Sequence, residues 1–434
     1  MNNRILRTVF CGLLVLLAGC SSLPPINREL LNQILYTPTP APVPLPTSTS
    51  TPAPVETRQS SASQTEPAAA SPEILHVWLP VQLNPNENNP AAALLKKRLN
   101  DFEADHPGVE IDVRLKSETG DANLLDSLAI TSMAAPEALP DLIALPHNAL
   151  EQASQKGLIK PLDISNELQD PAWYPYAKDL AQVNGTAYGI PFAGDAQVMV
   201  YRPELVWIKS WNDILLSNSQ LIFAGADPLA EMALSLYASA GGELTNAQGK
   251  PTLDQNTLVK VLQLFSKGRS VTLFPDADKN LSSDDQVLQE YRARRSDIAV
   301  LHFSKYQSSQ DGLYQPLMGL SDQQPHYTFA DGLIWSLTGR SPEQQRLAMD
   351  LAGYLTQDEF LSQWTQASGY LPIRRFSTNE QVDPAVTAVI DALRPIPPVD
   401  TMQTLGPLLQ EAVLRVIGGE DPEAVARSVI EKLG

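Results

Sequence analysis

The sequence predicts an α/β protein with two domains. Two observations carry this. Short apolar strands alternate with helical patterns along most of the 434 residues, which is the signature of strands covered by helices. The folded part is also too long for one ordinary domain. A third observation places that folded part at the C-terminal side. From Thr37 to Ser71 the chain is mostly Pro, Thr, Ser and Ala, a composition that cannot bury enough apolar surface to offset its ordering entropy.

The elements follow in order. His76 to Leu79 is a short apolar strand. Asn89-Pro90 supplies an N-cap and a first-turn proline, and Leu95, Leu99 and Phe102 fall on one helix face. His106-Pro107-Gly108 stops that helix. Val109, Ile111, Val113 and Leu115 alternate with polar residues, as in a strand. Leu124 to Ala134 reads as helix and Asp141 to Leu145 as strand. Leu150 to Lys156 reads as helix, ended by Gly157. Ala181 to Ile190 is expected to be a hairpin turning at Asn184-Gly185. Val198 to Tyr201 and Ile298 to Leu301 are further strands. Helices are expected at Leu258–Phe265, from Ser341-Pro342 onward, at Leu405–Ile417 and at Pro422–Leu433. The regular alternation favours largely parallel sheets. Sites in such folds lie at the carboxyl ends of strands.

The first residues carry a different signal. Arg4 and Arg7 precede an apolar run that ends in Leu17-Ala18-Gly19-Cys20. A basic start, a short apolar run and small residues before a cut describe a secretory signal. The Leu-Ala-Gly-Cys ending resembles the lipobox of bacterial lipoproteins, which implies a signal peptide over 1–19 and lipidation of Cys20. Residues 20–72 then form a tether. Fully extended, its proline-rich part reaches roughly 110 Å. The other cysteine, Cys11, lies inside the signal, so no disulfide, zinc–thiolate site or cysteine nucleophile is expected.

The formal charge is −18. Surplus acid argues against nucleic-acid binding and against a polybasic membrane surface. The chain has no G-x-S-x-G, H-E-x-x-H, Walker or G-x-G-x-x-G motif. Asp276 with Asp278, and Asp284 with Asp285, lack the spacing of a calcium loop and read as solvated loop acids. Neither an enzyme nor a cofactor or metal is expected.

An ordered set of short motifs resembles the extracellular solute-binding proteins of sugar-type ABC importers, the family that includes maltose-binding protein. These are Ile74-Leu75-His76-Val77-Trp78, the stretch Phe102 to Val113, Pro140-Asp141-Leu142-Ile143, Gly157-Leu158-Ile159-Lys160-Pro161-Leu162-Asp163, and Asn184 to Pro191. They continue with Ser210-Trp211-Asn212-Asp213-Ile214, Gly241-Gly242, Gly249 to Asp254, Ser368 to Arg374 and Gly418 to Glu423. Arg202 departs from the pattern, where the family usually has Asn after Tyr. The resemblance implies a periplasmic-binding-protein-like fold of two α/β lobes built from discontinuous segments around a hinged cleft. Lobe one would hold 73–191 and 326–376, and lobe two 192–325 and 377–434. It further implies a lipid-anchored extracytoplasmic receptor, monomeric, that captures a small polar solute, a sugar or oligosaccharide, and presents it to membrane permease subunits driven by a separate ATPase. The rival reading is a sensory or structural lipoprotein on the same scaffold.

The same resemblance points to candidate ligand contacts. Trp78 ends the first strand, so its ring either enters the cleft or packs under the next loop, which holds Gln82. Asn148, beside His147, follows the strand at Asp141. Asp195 follows the first crossing, either as a ligand acceptor or as a hinge cap. Tyr306 follows the strand at Ile298. Asp331 and Trp335 sit in Ala330-Asp331-Gly332-Leu333-Ile334-Trp335, with Trp335 either in the cleft or in the core. Tyr370 reaches the cleft or packs beside Pro372. Glu231 begins a helix and reads more simply as a solvated helix-start acid. Trp173, Trp207, Trp211 and Trp364 read as packing residues.

Overall fold

The computed structural model describes residues 73–434 apart from 121, 308–310, 340 and 377–381. The signal, Cys20 and the proline-rich tether therefore lie outside the described residues. In chain order the strands of the first half are β1 Glu73–Pro80, β2 Val109–Lys116, β3 Leu142–Pro146, β4 Gln182–Val183, β5 Thr186–Ala187, β6 Ile190–Asp195, β7 Gln197–Tyr201 and β8 Leu221–Ile222. Those of the second half are β9 Ile298–His302, β10 Leu313–Pro316, β11 Thr328–Phe329, β12 Asp331–Leu337 and β13 Leu393–Arg394.

The helices begin with α1 Pro90–Asp105, α2 Leu124–Ala134, α3 His147–Gln155, α4 Ser165–Leu168, α5 Pro175–Leu180, α6 Trp211–Leu216 and α7 Glu231–Ser239. They continue with α8 Gln255–Ser270, α9 Asp284–Arg292, α10 Phe303–Gln307, α11 Pro342–Leu355 and α12 Asp358–Ser368. The last are α13 Pro384–Ala392, α14 Val399–Ile417 and α15 Pro422–Leu433.

Local chemistry accounts for the ends of these elements. The Asn89 side chain accepts from Ala92 N at 2.8 Å and Pro90 opens α1, as the sequence predicts. At the β4–β5 hairpin both turn residues have positive φ, 52° at Asn184 and 78° at Gly185, the requirement of a type I′ turn. The α14 helix starts six residues earlier than the sequence pattern places it, at Val399 rather than Leu405, and it contains Pro407.

Two larger sheets carry the body. The first has order β2-β1-β3-β12-β6 and the second β10-β7-β9-β8. The expectation of largely parallel sheets is corrected here. β1 runs parallel to β2 and β3, but β12 runs antiparallel to both β3 and β6. In the second sheet only the β8–β9 pair is parallel. The cause is connectivity: β6 passes straight into β7 of the other sheet instead of returning through a helix, so a parallel crossover is not formed. The change of sheet comes between Asp195 and Gln197, and again between the β11–β13 pair and β12.

Burial follows the pattern. Leu95, Leu99 and Phe102 of α1 are buried. Phe192, Trp335 and Trp364 form an aromatic block, with ring centroids 4.9 Å apart for Phe192–Trp335 and 4.3 Å for Phe192–Trp364. This apolar cluster runs on from the first sheet into Val198 and Leu301 of the second sheet and Phe303 of α10. A separate core lies around Tyr237, Leu262, Phe265 and Leu409.

Candidate functional site

The crossing places two carboxylates on one rung. Asp195 is the last residue of β6 and Asp331 the first of β12, and they are direct register partners. Asp195 is buried. Its Oδ1 accepts from Ala196 N at 2.9 Å and from Ser304 N at 3.1 Å, and its Oδ2 accepts from the Ser304 hydroxyl. It thereby ties the end of the first sheet to the start of α10. Burial raises its pKa and Asp331 adds to that, against His302 and the Ser304 hydrogen bonds.

A second wall comes from the chain that bridges to Gly194. Gly194 N donates to Leu371 O at 3.0 Å, and Leu371 N donates to Gly194 O at 2.7 Å. A side chain at residue 194 would collide with the Tyr176 hydroxyl, which itself donates to Pro372 O at 2.7 Å. This close approach brings Tyr370 next to the crossing. Its ring stacks on Trp364 at 5.7 Å and 12°. Burial raises the Tyr370 pKa well above the phenol range, and the charges of Asp195, Glu118 and Asp331 push the same way, while a hydrogen bond with Gln82 opposes them. Gln82 also acts on Glu118, whose pKa it lowers. Glu118 is an exposed residue; partial desolvation of its carboxyl, with the Asp331 and Asp195 charges, raises its pKa against Gln82 and Lys305. Gln82 and Glu118 lie just past the carboxyl ends of β1 and β2, where ligands of α/β sheets are expected.

The facing group belongs to the second sheet. His302 ends β9. Its Nδ1 lies 2.6 Å from Asp284 Oδ2 and its Nε2 3.5 Å from Glu231 Oε2. Burial by itself would lower the imidazole pKa, but the Asp284 and Glu231 charges outweigh it and hold it well above the usual value. The nearer partner gains most. Burial would raise the Asp284 carboxyl, but His302 brings it below the usual range. Burial instead pushes Glu231 up to about 8, with His302 opposing and Asp331, Asp227 and Asp284 adding. Glu231 opens α7 behind Ala230, whose φ of 47° is left-handed, a conformation that costs an alanine about 1–2 kcal/mol.

The residues proposed from sequence separate into two sets. Gln82, Asp195, Asp331 and Tyr370 come together. Trp78 is 2 % exposed, under Lys116 Nζ at 4.6 Å. Trp335 is 1 % exposed, against Phe192. The Tyr306 ring packs on Tyr314 at 4.9 Å, and its hydroxyl donates to Gly312 O at 2.9 Å. Asn148 is exposed in the first turn of α3 and accepts from Gln152 through its backbone. Sequence reading missed Glu118, His302 and Asp284 as members of the group. Glu118 and His302 stand at strand ends, a signal open to the same rule; Asp284 reaches the site only because α9 packs on β9. Among the described residues no set of three or more His, Cys, Asp or Glu side chains is arranged to hold a metal ion, and no helix is long and apolar enough to cross a membrane.

The arrangement gathers oxygen acceptors at the crossing and at the end of β9, with two cations, His302 and Lys305, among the charges that act on them. It is suited to hold hydroxyl or ammonium donors. Solved structures share the fold at low identity. The maltose-bound MalE3 of T. maritima aligns at a TM-score of 0.66 with 15% identity, over 83% of this chain and 98% of that one. A cyclo/maltodextrin-binding protein complexed with maltotetraose aligns at 0.65 with 18% identity, over 83% and 96%. A solute-binding protein of Thermotoga lettingae bound with α-D-tagatose aligns at 0.64 with 17% identity, over 83% and 100%. A comparison with curated protein sequences gave no match. The family model described as bacterial extracellular solute-binding protein matches residues 97–388, most of the folded body, and the chain therefore belongs to the bacterial extracellular solute-binding protein family.

Proposed function

We propose that the chain is the lipid-anchored, extracytoplasmic receptor of an ABC importer and that it captures a sugar or oligosaccharide between two lobes. Lobe one is built around the five-stranded sheet and lobe two around the four-stranded sheet, with the crossings at Ala196 and Ala330. Asp195 and Asp331 sit side by side at the rung where the chain passes from one sheet to the other, and this single observation carries the reading. Acceptors at a crossing feel both lobes, so a ligand that binds them favours the closed arrangement by its differential affinity for it. Structural neighbours bound to maltose, maltotetraose and tagatose support a carbohydrate. Glu118, Gln82 and Tyr370 would contact the solute from lobe one, and Glu231 from lobe two. Cys20 would carry the lipid, and permease subunits would receive the closed form.

The test is a thermal-shift panel on the purified full-length chain with mono- and oligosaccharides. A ligand at a hundred times its Kd stabilises the folded state by about 2.7 kcal/mol, a shift that is readily resolved. A rise in Tm with one saccharide group, abolished by Asp331→Ala, is the expected result. A folded chain that no saccharide stabilises would favour the sensory or structural lipoprotein. For the anchor, Cys20→Ser is expected to move the protein from the membrane fraction to the soluble one.

A further inference from the structure

We infer that the captured solute carries a positively charged amine, seated against Glu231 at the lobe-two side of the cleft. The inference rests on the binding reading above and names its ligand class. Six carboxylates interact across this region: Glu118, Asp195 and Asp331 at the crossing, and Asp227, Glu231 and Asp284 on the lobe-two side. Two cations face them. His302 is held between Asp284 and Glu231, and Lys305 is drawn to Asp285 at 2.7 Å. The acid surplus is local to the crossing and the lobe-two side beside it.

A second observation is independent of that count. Glu231 is 8 % exposed, and its Oε1 has no hydrogen-bond partner among the described residues. Gln197, 6 % exposed and the first residue of β7 after the crossing, has an Oε1 in the same condition. Both residues line one narrow cavity of about 20 Å³, with Asp227 and Gln410 also on its wall. That space holds one small group, the size of a water molecule or an ammonium head. A buried acceptor left without a donor destabilises the structure that holds it. An ammonium brings three N–H donors and no acceptor, and it also neutralises charge. A sugar hydroxyl brings one donor and no charge, so it would leave the acid surplus in place.

The charged surroundings of Glu231 agree. His302 of β9 lies 3.5 Å from its Oε2, Asp227 of the loop before its own helix shares the cavity wall, and the charges of Asp331 of β12 and Asp284 of α9 also act on it, while α14 presents the uncharged Gln410 and Val413. Burial holds its pKa up at about 8 even with His302 opposing at 3.5 Å, so the carboxyl holds a proton near neutrality before the solute arrives. Arrival of an ammonium displaces that proton, so binding releases protons to the buffer and strengthens as pH rises from about 6 to 8. Burial of the site outweighs screening by salt, which acts mainly on exposed charges.

The test compares four probes on the full-length chain by isothermal titration: the 1,4-linked dimer of glucosamine, the same dimer N-acetylated, maltose, and 1,4-diaminobutane. The glucosamine dimer is expected to bind at least tenfold more tightly than its acetylated form and than maltose. That preference is expected to vanish in Glu231→Gln. It should come with proton release, read as a dependence of the heat on buffer ionisation enthalpy. The wild-type comparison stands even if the variant fails to fold, and Asp227→Asn supplies a second variant. Equal binding of the neutral and amine-bearing saccharides overturns this inference and leaves the carbohydrate-receptor reading intact. Binding of the diamine alone, lost in Glu231→Gln, supports the ammonium and overturns the carbohydrate. Binding of none of the four overturns both.

Discussion

Trp335→Ala separates two roles that sequence alone leaves open for the same residue. If the ring is a stacking surface for ligand, its removal lowers affinity and leaves the fold intact. The structure puts it elsewhere: 1 % exposed, on β12, a strand hydrogen-bonded on both sides, with Phe192 at 4.9 Å and Trp364 beyond it. Truncating a buried Trp to Ala costs about 3–5 kcal/mol in lost transfer energy and residual cavity. With an m-value of about 3 kcal/mol per M of urea, the unfolding midpoint should fall by roughly 1–1.7 M. Trp335→Phe should be much milder. The indole Nε1–H has no partner among the described residues, so its removal relieves a desolvation cost of about 1–3 kcal/mol that offsets much of the lost contact. A midpoint drop below roughly 0.7 M is expected for Phe. The assay is urea unfolding followed by far-UV circular dichroism, since the fluorophore itself is altered. The apolar cluster around Trp335 extends into Val198 and Leu301 of the second sheet, so one transition should report the loss. An Ala variant that unfolds at the wild-type midpoint but binds solute poorly would refute the packing argument and return the ring to the cleft.

Three further outcomes follow from the same contacts. Asp195→Ala strands the Ser304 N–H and hydroxyl and should cost about 3 kcal/mol, whereas Asp195→Asn keeps an acceptor for the backbone and should cost about 1 kcal/mol; equal midpoints for the two in urea would refute the hydrogen-bond account. Asp278 is buried, with Oδ1 accepting from Phe223 N at 3.4 Å and Oδ2 without a partner among the described residues, and burial pushes its pKa up to about 8. A folded pKa above the unfolded value means the folded state holds the proton more tightly, so this contribution is complete below about pH 4 and is lost as pH rises through about 8. Stability should therefore fall by about 2–3 kcal/mol between pH 5.5 and 7.5, Glu231 acts in the same direction, and Asp278→Asn should flatten the slope of midpoint against pH. Arg202→Lys should cost about 2–3 kcal/mol, because the guanidinium lies 3.8 Å from the Tyr291 ring centroid, donates to Tyr291 O and pairs with Asp311 at 2.7 Å; a shift in melting temperature no larger than that of a surface lysine swap would contradict it.

What the chain settles by itself is local. Asn89-Pro90 opens a helix because a capping acceptor and a preset φ are properties of those two residues. Asn184-Gly185 makes its turn because both tolerate positive φ. Apolar spacing in α1 fixes which face is buried, and the motif order is enough to indicate the family. The site is a different matter. Gln82, Asp195, Asp331 and Tyr370 are legible because strand ends and crossings converge by topology. The direction in which a ring points is not legible. Trp78, Trp335 and Tyr306 carry residue types that suit a sugar as well as a core, and only the packing of neighbouring helices and strands against them decides which surface they meet. Glu231 shows the same limit from the other side. As a sequence it is a helix-start acid; the tertiary fold buries it against His302, leaves one of its oxygens without a donor, and gathers around it acids from the loop before α7, from α9 and from β12. That gathering is a sum of long-range contacts, and no local periodicity encodes it.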